Sequence, residues 1–173
     1  MRTPATRAAL IRLLVLDVDG VLTDGGLLYG AGGEEIKRFD VHDGWALAAA
    51  RRAGLEVGVI SGRASAAVTR RMAELGIQEV HQGVGDKPAR LAQIMARLAV
   101  EPGQVAVMGD DLPDLPLMKT VALALAPANA APEVRRAAHW VSRRRGGEGA
   151  VREAIEMILR ARKAWPPPEP ASR

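Results

Sequence analysis

Short apolar runs alternate with amphipathic segments along most of the chain. The apolar runs are nearly continuous, which is typical of strands buried on both faces of a sheet. This alternation predicts an α/β fold, a doubly wound, Rossmann-like parallel sheet with helices on both faces. The expected strands are 13–18, 55–60, 77–81, 104–108, 121–125 and 140–142, and the expected helices are 44–53, 64–75, 88–98, 112–119, 132–138 and 150–164.

One segment, residues 25–41, breaks the alternation. It has two short strand-like stretches around the glycine-rich residues 30–33, and this pattern predicts a β-hairpin. The hairpin directly follows the first expected strand, so it should protrude above the carboxyl edge of the sheet. Elsewhere, Gly54 and Gly76 stand where helices should end, and Asp43 and Asp86 stand where helices could be capped.

The length of 173 residues suits a single domain with one core. We expect an N-terminal extension over residues 1–11, the domain over 12–164, and a proline-rich tail over 165–173 that is extended or disordered. Nearly half of the residues are apolar but only 3% are aromatic, so aliphatic side chains must build the core.

Composition excludes several classes of function. The chain has no cysteine, which rules out disulfides, thiolate zinc sites and thiol nucleophiles and fits a cytoplasmic protein. No apolar run reaches the roughly 18 residues that span a bilayer, so no membrane partner is expected. The net charge is +4, but the arginines are spread along expected helices, with one cluster at residues 143–145. With few aromatic side chains to stack on bases, no nucleic-acid partner is expected.

Two carboxylates end the first expected strand. Asp17 and Asp19 follow the apolar run at 13–16, and Gly20 comes next. An Asp-x-Asp-Gly sequence is also an ordinary way for a strand to enter a turn. At the mouth of a buried sheet, however, two negative charges are costly unless they hold a metal or react.

Polar groups follow three further expected strands. In a doubly wound sheet the ligand lies beyond the carboxyl ends of the strands, so these groups should meet Asp17 and Asp19. Each has a structural alternative: a strand-to-helix turn for the serine, a surface position for the lysine, and a helix N-terminus for the acids. The groups are Ser61, Gly62 and Arg63 after the second strand, Lys87 after the third, and Asp110, Asp111 and Asp114 after the fourth.

Together these groups suit phosphoryl transfer. Asp17 can attack phosphorus to form an aspartyl-phosphate, and Asp19 can protonate the leaving oxygen and then activate water. The Ser61 hydroxyl and backbone N–H groups at a helix start can hold phosphate oxygens. Lys87 supplies a compact positive charge, and further carboxylates can hold Mg²⁺, which prefers oxygen ligands.

The set DVDGVLTDG, SGR, Lys87 and GDDLPDLPLM resembles the four motifs of the haloacid dehalogenase superfamily of phosphatases. The resemblance implies that Asp17 is the nucleophile, Asp19 the general acid and base, Ser61 with Gly62 the phosphate ligand, and Lys87 the charge neutraliser. It also implies Mg²⁺ held by the Asp17 side chain, the Asp19 backbone carbonyl and the Asp110 side chain. Asp111 and Asp114 would support the metal.

The gaps between these motifs leave no room for a cap domain. The first gap holds only the hairpin and one helix, and the second holds only a helix and a strand. A capless site acts on a large substrate or borrows its cover from a neighbouring subunit. Residues 13–159 are similar to the 3-deoxy-D-manno-octulosonate 8-phosphate phosphatases. This resemblance implies a homotetramer assembled through its hairpins, a small sugar-acid phosphate as substrate, and a role in lipopolysaccharide biosynthesis.

Two positions depart from the pattern of that family. His42 and Glu148 stand where it often has arginine, and both positions are expected to face the sugar acid. Arg63, Asp43 and Gly44 are further candidates for substrate contact or support, although Arg63 could also only cap a helix and His42 could be a satisfied loop histidine.

Two alternative functions remain open from the sequence. The first is a phosphatase of nine-carbon sialic-type sugar 9-phosphates, which differs from the expected enzyme in substrate and not in chemistry. The second is a non-catalytic regulatory or nucleic-acid-binding module. The joint presence of Asp17, Asp19, Lys87 and Asp110 counts against it.

Overall fold

The computed structural model describes residues 3–168 and contains two β-sheets. The larger sheet has six strands in the order β5-β4-β1-β6-β7-β8, and every neighbouring pair is parallel. The predicted fold class is therefore confirmed. The strands are β1 (Leu13–Leu16), β2 (Leu28–Tyr29), β3 (Glu35–Ile36), β4 (Glu56–Ile60), β5 (Glu79–His81), β6 (Val105–Met108), β7 (Leu123–Ala126) and β8 (Trp140–Val141).

Helices cover both faces of this sheet. One face packs beneath α1, α2, α3 and α7, and the other beneath α4, α5 and α6. The central strand β1 shows why both faces are apolar: Leu14 and Leu16 point to the first face and Leu13 and Val15 to the second, and all four are fully buried. The helices are α1 (Pro4–Ala8), α2 (Val41–Arg52), α3 (Ala66–Glu74), α4 (Lys87–Leu98), α5 (Leu115–Met118), α6 (Pro132–Ala137) and α7 (Ala150–Ala161).

The chain reverses its direction of winding beside β1. Strands β4 and β5 extend the sheet on one side of β1, and β6, β7 and β8 extend it on the other. Ligands of doubly wound sheets bind at such a switch point, beyond the carboxyl ends of the strands. The residues after β1, β4 and β6 therefore meet at one edge.

The second sheet is a short hairpin. Strands β2 and β3 pair antiparallel, with Leu28 opposite Ile36 and Tyr29 opposite Glu35. Leu28, Tyr29 and Ile36 are 57%, 63% and 47% exposed, so the hairpin presents apolar side chains outside the core.

Several element boundaries differ from the predicted ones. Helix α2 begins three residues earlier than predicted, because Asp40 and not Asp43 caps it, accepting a 2.6 Å hydrogen bond from the His42 amide. The predicted cap of α4 by Asp86 is confirmed by its bond to the Ala89 amide. The predicted helix 112–119 is instead a 3₁₀ turn over Leu112–Asp114 followed by α5.

The two termini pack on the domain where they are described. Within the expected extension 1–11, α1 contacts α7 and buries Ala8. In the proline-rich tail, the Trp165 ring meets the Trp45 ring edge-on at 6.1 Å between centroids, and residues 169–173 lie outside the described part of the chain. Among residues 3–168, no helix is long and apolar enough to cross a membrane.

Candidate active site

A cavity of about 320 Å³ opens at the carboxyl edge of the sheet, where the chain leaves β1, β4 and β6. Nine of the site residues predicted from the sequence line this cavity. The cavity is lined by Asp17, Asp19, Gly25, Ser61, Gly62, Arg63, Lys87, Asp110, Asp111, Pro113 and Asp114.

Lys87 lines this cavity and contacts two of its carboxylates. It is the first residue of α4, and its side chain is only 8% exposed. Its Nζ lies 3.2 Å from Oδ1 of Asp17 and 2.6 Å from Oδ1 of Asp114. Burial alone would lower the pKa of Lys87, but these two carboxylates together raise it above its usual range. Lys87 is therefore a fixed positive charge beside Asp17.

Asp114 orients its neighbours. Its side chain is 2% exposed, and while Oδ1 accepts from Lys87, Oδ2 accepts from the backbone amides of Asp110 and Asp111 at 3.1 and 3.4 Å. These bonds occupy both carboxylate oxygens. Asp114 thus holds Lys87 and the loop after β6 in place.

Asp17 and Asp110 are partly buried, and both have raised pKa values. Burial, and then repulsion from Asp114, raises the pKa of Asp17 to about 6 in spite of Lys87. Burial, and then repulsion from Asp17, raises the pKa of Asp110 to about 7. Each carboxylate therefore resists ionisation, because it is shielded from water and has other negative charges nearby.

These acids fit a divalent cation. Asp17, Asp110 and Asp114 each place one carboxylate oxygen within 4.8 Å of the others. Asp17 and Asp110 are the pair left to ligate, since Asp114 is engaged by Lys87 and backbone amides. Hard oxygen donors and uncompensated negative charge are what Mg²⁺ requires.

Ser61 and Gly62 also line the cavity, and we call these two residues the phosphate wall. Ser61 is buried, and its amide donates to the His81 carbonyl at 2.9 Å, which fixes the end of β4 against β5. Its Oγ accepts from the Arg63 amide at 3.2 Å. A Cβ added to Gly62 would meet no atom closer than the Val84 carbonyl oxygen at 3.9 Å, so the Gly62 backbone is open to an incoming oxygen. This wall can bind a phosphate.

A closed ring of ion pairs joins Asp19 to the hairpin. Lys37 pairs with both Asp19 and Glu35. Arg63 donates to Glu35 at 3.0 Å, and its Nε lies 3.6 Å from Oδ2 of Asp19. Asp19 and Arg63 were predicted from the sequence, whereas Lys37 and Glu35 were missed. Glu35 lies in β3 and Lys37 directly follows that strand. The available signal was their spacing, since side chains two residues apart in an extended chain share one face.

Four expected site residues lie outside this cavity. His42 and Glu148 line a separate cavity of about 520 Å³ with Arg144 and Arg152. Asp43 is buried and accepts a 2.7 Å bond from the Arg152 amide, so it caps α7 and not a helix of its own. Gly44 lies so close to Arg71 that a Cβ would collide with the guanidinium. Asp43 and Gly44 therefore join α2 to its neighbours.

The turn before α7 packs directly on the loop that follows Asp19. The Gly146 amide donates to Oδ1 of Asn129 at 2.7 Å, and Nδ2 of Asn129 donates to the Gly20 carbonyl at 3.3 Å. The Gly147 amide donates to the Val21 carbonyl at 3.1 Å. Asn129 was not predicted from the sequence, because a single amide residue in a loop carries no pattern.

Comparison with known proteins agrees with this geometry. Residues 79–155 match the family model of haloacid dehalogenase-like hydrolases. The chain is 44% identical over 155 residues to the 3-deoxy-D-manno-octulosonate 8-phosphate phosphatase KdsC of Escherichia coli strain K12, covering 90% of this chain and 82% of the relative. The chain belongs to the 3-deoxy-D-manno-octulosonate 8-phosphate phosphatase family.

Two crystal structures from this phosphatase family show the same fold. The enzyme of Yersinia pestis is 43% identical with a TM-score of 0.90, covering 92% of this chain and 86% of that one. The enzyme of Moraxella catarrhalis is 38% identical with a TM-score of 0.91, covering 94% and 93%. The Moraxella structure is a complex with a magnesium ion, a phosphate ion and a KDO molecule.

Proposed function

We propose that this chain is a Mg²⁺-dependent phosphomonoesterase that hydrolyses 3-deoxy-D-manno-octulosonate 8-phosphate to the free sugar acid and inorganic phosphate. The observation that carries the proposal is the 3.2 Å approach of Lys87 Nζ to Asp17, in one cavity with Ser61 and Asp110. The Moraxella relative, which holds magnesium, phosphate and KDO, supports the choice of substrate.

In the first step the Asp17 carboxylate is the nucleophile. One of its oxygens attacks phosphorus, and the bond between phosphorus and the sugar oxygen breaks. Asp19 gives its proton to the departing sugar oxygen, which leaves an aspartyl-phosphate on Asp17. Lys87, Ser61 and the Gly62 backbone hold the phosphate oxygens during the transfer.

In the second step water attacks the phosphorus of the aspartyl-phosphate. Asp19, now ionised, takes the proton from that water. The bond between phosphorus and the Asp17 oxygen breaks, so inorganic phosphate leaves and the carboxylate is restored. The side chains of Asp17 and Asp110, with the Asp19 carbonyl, would hold Mg²⁺, which offsets the repulsion between the anionic nucleophile and the anionic ester.

The proposed assembly is a cytoplasmic homotetramer. Self-association is supported by the exposed apolar surface of the hairpin segment, where Leu27, Leu28, Tyr29 and Ile36 are 46% to 63% exposed, since a surface of this kind marks an interaction site. In such an assembly a neighbouring subunit covers the site, and His42 and Glu148 contact the sugar acid only across a subunit boundary. Light scattering tests this: a fully active monomer would contradict it.

A phosphate-release assay tests the proposed activity. We expect the wild type to release phosphate from the 8-phosphate in the presence of Mg²⁺, and EDTA or Asp17→Asn to abolish the release. Glu133→Gln is the control, because Glu133 is an exposed acid on α6 that does not line the cavity. Faster turnover of nine-carbon sialic-type 9-phosphates would reject the proposed substrate, and no turnover of any phosphomonoester would reject the enzyme class.

A further inference from the structure

We propose that Lys37 of the hairpin is a positioning residue for Asp19, and that it fixes the proton-transferring carboxyl over the leaving oxygen of the substrate. This inference rests on the proposed function, because it assigns a part in that reaction to a residue outside the four motifs. Lys37 touches neither the phosphate wall nor the acids that fit the metal. Its influence on the reaction runs through Asp19.

The Lys37 side chain is buried in a segment that is mostly exposed. Its side chain is 1% exposed, while the neighbouring residues Ile36 and Arg38 are both exposed. Burying an ammonium is costly unless it is paired and hydrogen-bonded. Lys37 meets that requirement with two carboxylates, Asp19 and Glu35.

The ring of ion pairs fixes the Asp19 carboxyl from both sides. Lys37 holds Oδ1, and Arg63 lies 3.6 Å from Oδ2. Glu35 bridges these two cations, with 3.0 Å to Arg63. Three separate chain segments therefore meet at Asp19: the loop after β1, the residue that directly follows β3 in the hairpin segment, and the turn after β4. Lys37 is the most buried of the four side chains, at 1% exposed.

Rate depends steeply on where a proton-transferring group is held. A misplacement of about 1 Å can cost about 100-fold in rate. The loss is specific to leaving groups that need a proton. A sugar alkoxide needs one as its bond to phosphorus breaks, whereas p-nitrophenolate is a stable anion and leaves without help. A displaced Asp19 thus slows cleavage of the sugar ester and spares cleavage of the aryl ester.

The experiment measures kcat/KM of the wild type and of Lys37→Met with two substrates, 3-deoxy-D-manno-octulosonate 8-phosphate and p-nitrophenyl phosphate. For each ester, kcat/KM reports only the steps up to release of the first product. The later action of Asp19 on water therefore does not affect it. We expect a fall of about 30-fold for the sugar ester and less than about 2-fold for the aryl ester. Lys37→Arg should recover most of the loss, because it keeps the charge.

Arg38→Met is the matched control. Arg38 is the next residue in the hairpin segment and loses the same charge, but it pairs with Asp24, and that pair is exposed and 3.3 Å long. Both kcat/KM values should stay within about 2-fold of the wild type. Circular dichroism of all three variants reports whether the fold is intact.

Two results would overturn the inference. One is an equal loss for both esters in Lys37→Met, which would mean that Lys37 only supports the fold. The other is no loss for either. If the wild type hydrolyses p-nitrophenyl phosphate but not the 8-phosphate, the proposed substrate is wrong, and Lys37 is judged on the alkyl phosphate that the wild type does cleave. No hydrolysis of either ester would overturn both proposals.

Discussion

The ammonium of Lys87 lies 2.6 Å from Oδ1 of Asp114, and both side chains are buried. Lys87 also lies 3.2 Å from Oδ1 of Asp17, so this pair fixes the positive charge beside the proposed nucleophile. The other oxygen of Asp114 accepts from two backbone amides of the loop that carries Asp110. A single carboxylate thus connects Lys87 to the loop that carries Asp110 and Asp111.

Asp114→Asn should therefore weaken both the fold and the site. The amide has one oxygen in place of two, so either Lys87 or the amides of Asp110 and Asp111 lose their acceptor. Because the site is buried, we expect a loss of about 3 kcal/mol in the free energy of unfolding. Urea unfolding measures this loss, and Asp111→Asn, at an exposed neighbour, should change it by less than about 0.5 kcal/mol. Equal stability of the two variants would contradict the role given to Asp114.

The pKa of Asp110 is raised to about 7. This predicts that the free energy of unfolding of the metal-free protein depends on pH. In the unfolded chain the Asp110 carboxyl has its ordinary pKa of 3.8, so the folded protein keeps this proton to a higher pH than the unfolded chain does. Its contribution is therefore favourable at low pH and is lost as the pH rises towards 7. In EDTA, Asp110→Asn should gain stability relative to the wild type between pH 5 and pH 8. A difference that does not change with pH would contradict this.

Asp43 should stabilise α7 from outside that helix. The residue that precedes α7, Gly149, has no side chain to cap it, and Asp43 supplies the acceptor for the Arg152 amide at 2.7 Å. We expect Asp43→Ala to cost about 1–2 kcal/mol in thermal or urea unfolding. Burial raises the pKa of Asp43 to about 6, so an ionised carboxylate is disfavoured there. Asp43→Asn, which keeps an acceptor without charge, should match or exceed the wild type at pH 8.

Gly146 should tolerate no side chain. A Cβ there would collide with the carbonyl of Gly20 and approach that of Thr23, and these are backbone atoms that cannot turn aside. Gly146→Ala should cost about 1–3 kcal/mol and lower phosphate release, because Gly20 follows Asp19 directly. Gly103→Ala is the control, since a Cβ at Gly103 meets nothing within 4 Å. An active, fully stable Gly146→Ala would contradict the close packing of this turn.

The sequence predicted the parts of the site that follow strands. Asp17 and Ser61 directly follow β1 and β4, and Asp110 comes just after β6, and parallel strands bring their carboxyl ends to one edge. Lys87 was found in the same way, because it opens the helix after β5. The start of α2 was predicted three residues too late, because the prediction used Asp43 as a cap whereas Asp40 caps the helix.

Contacts between distant segments were beyond the sequence. The pairing of Lys37 with Asp19 depends on how the hairpin folds back over the loop after β1, and no local pattern encodes that angle. The same holds for Asp43 and the Arg152 amide, which are 109 residues apart in the chain. His42 and Glu148 were expected at the substrate, but the path of α2 and α7 places them in another cavity.

The sequence by itself determined the parallel sheet, the order of its strand ends and which polar residues line the cavity beyond them, because strand burial and the residue after each strand are local properties. Only the tertiary structure decided which charges neutralise one another. Asp114 could have been a third metal ligand, but it accepts hydrogen bonds from Lys87 and from two backbone amides and so holds those groups in place. Electrostatic energy depends on separations of a few ångströms between segments far apart in the chain, and those separations exist only once the chain has folded.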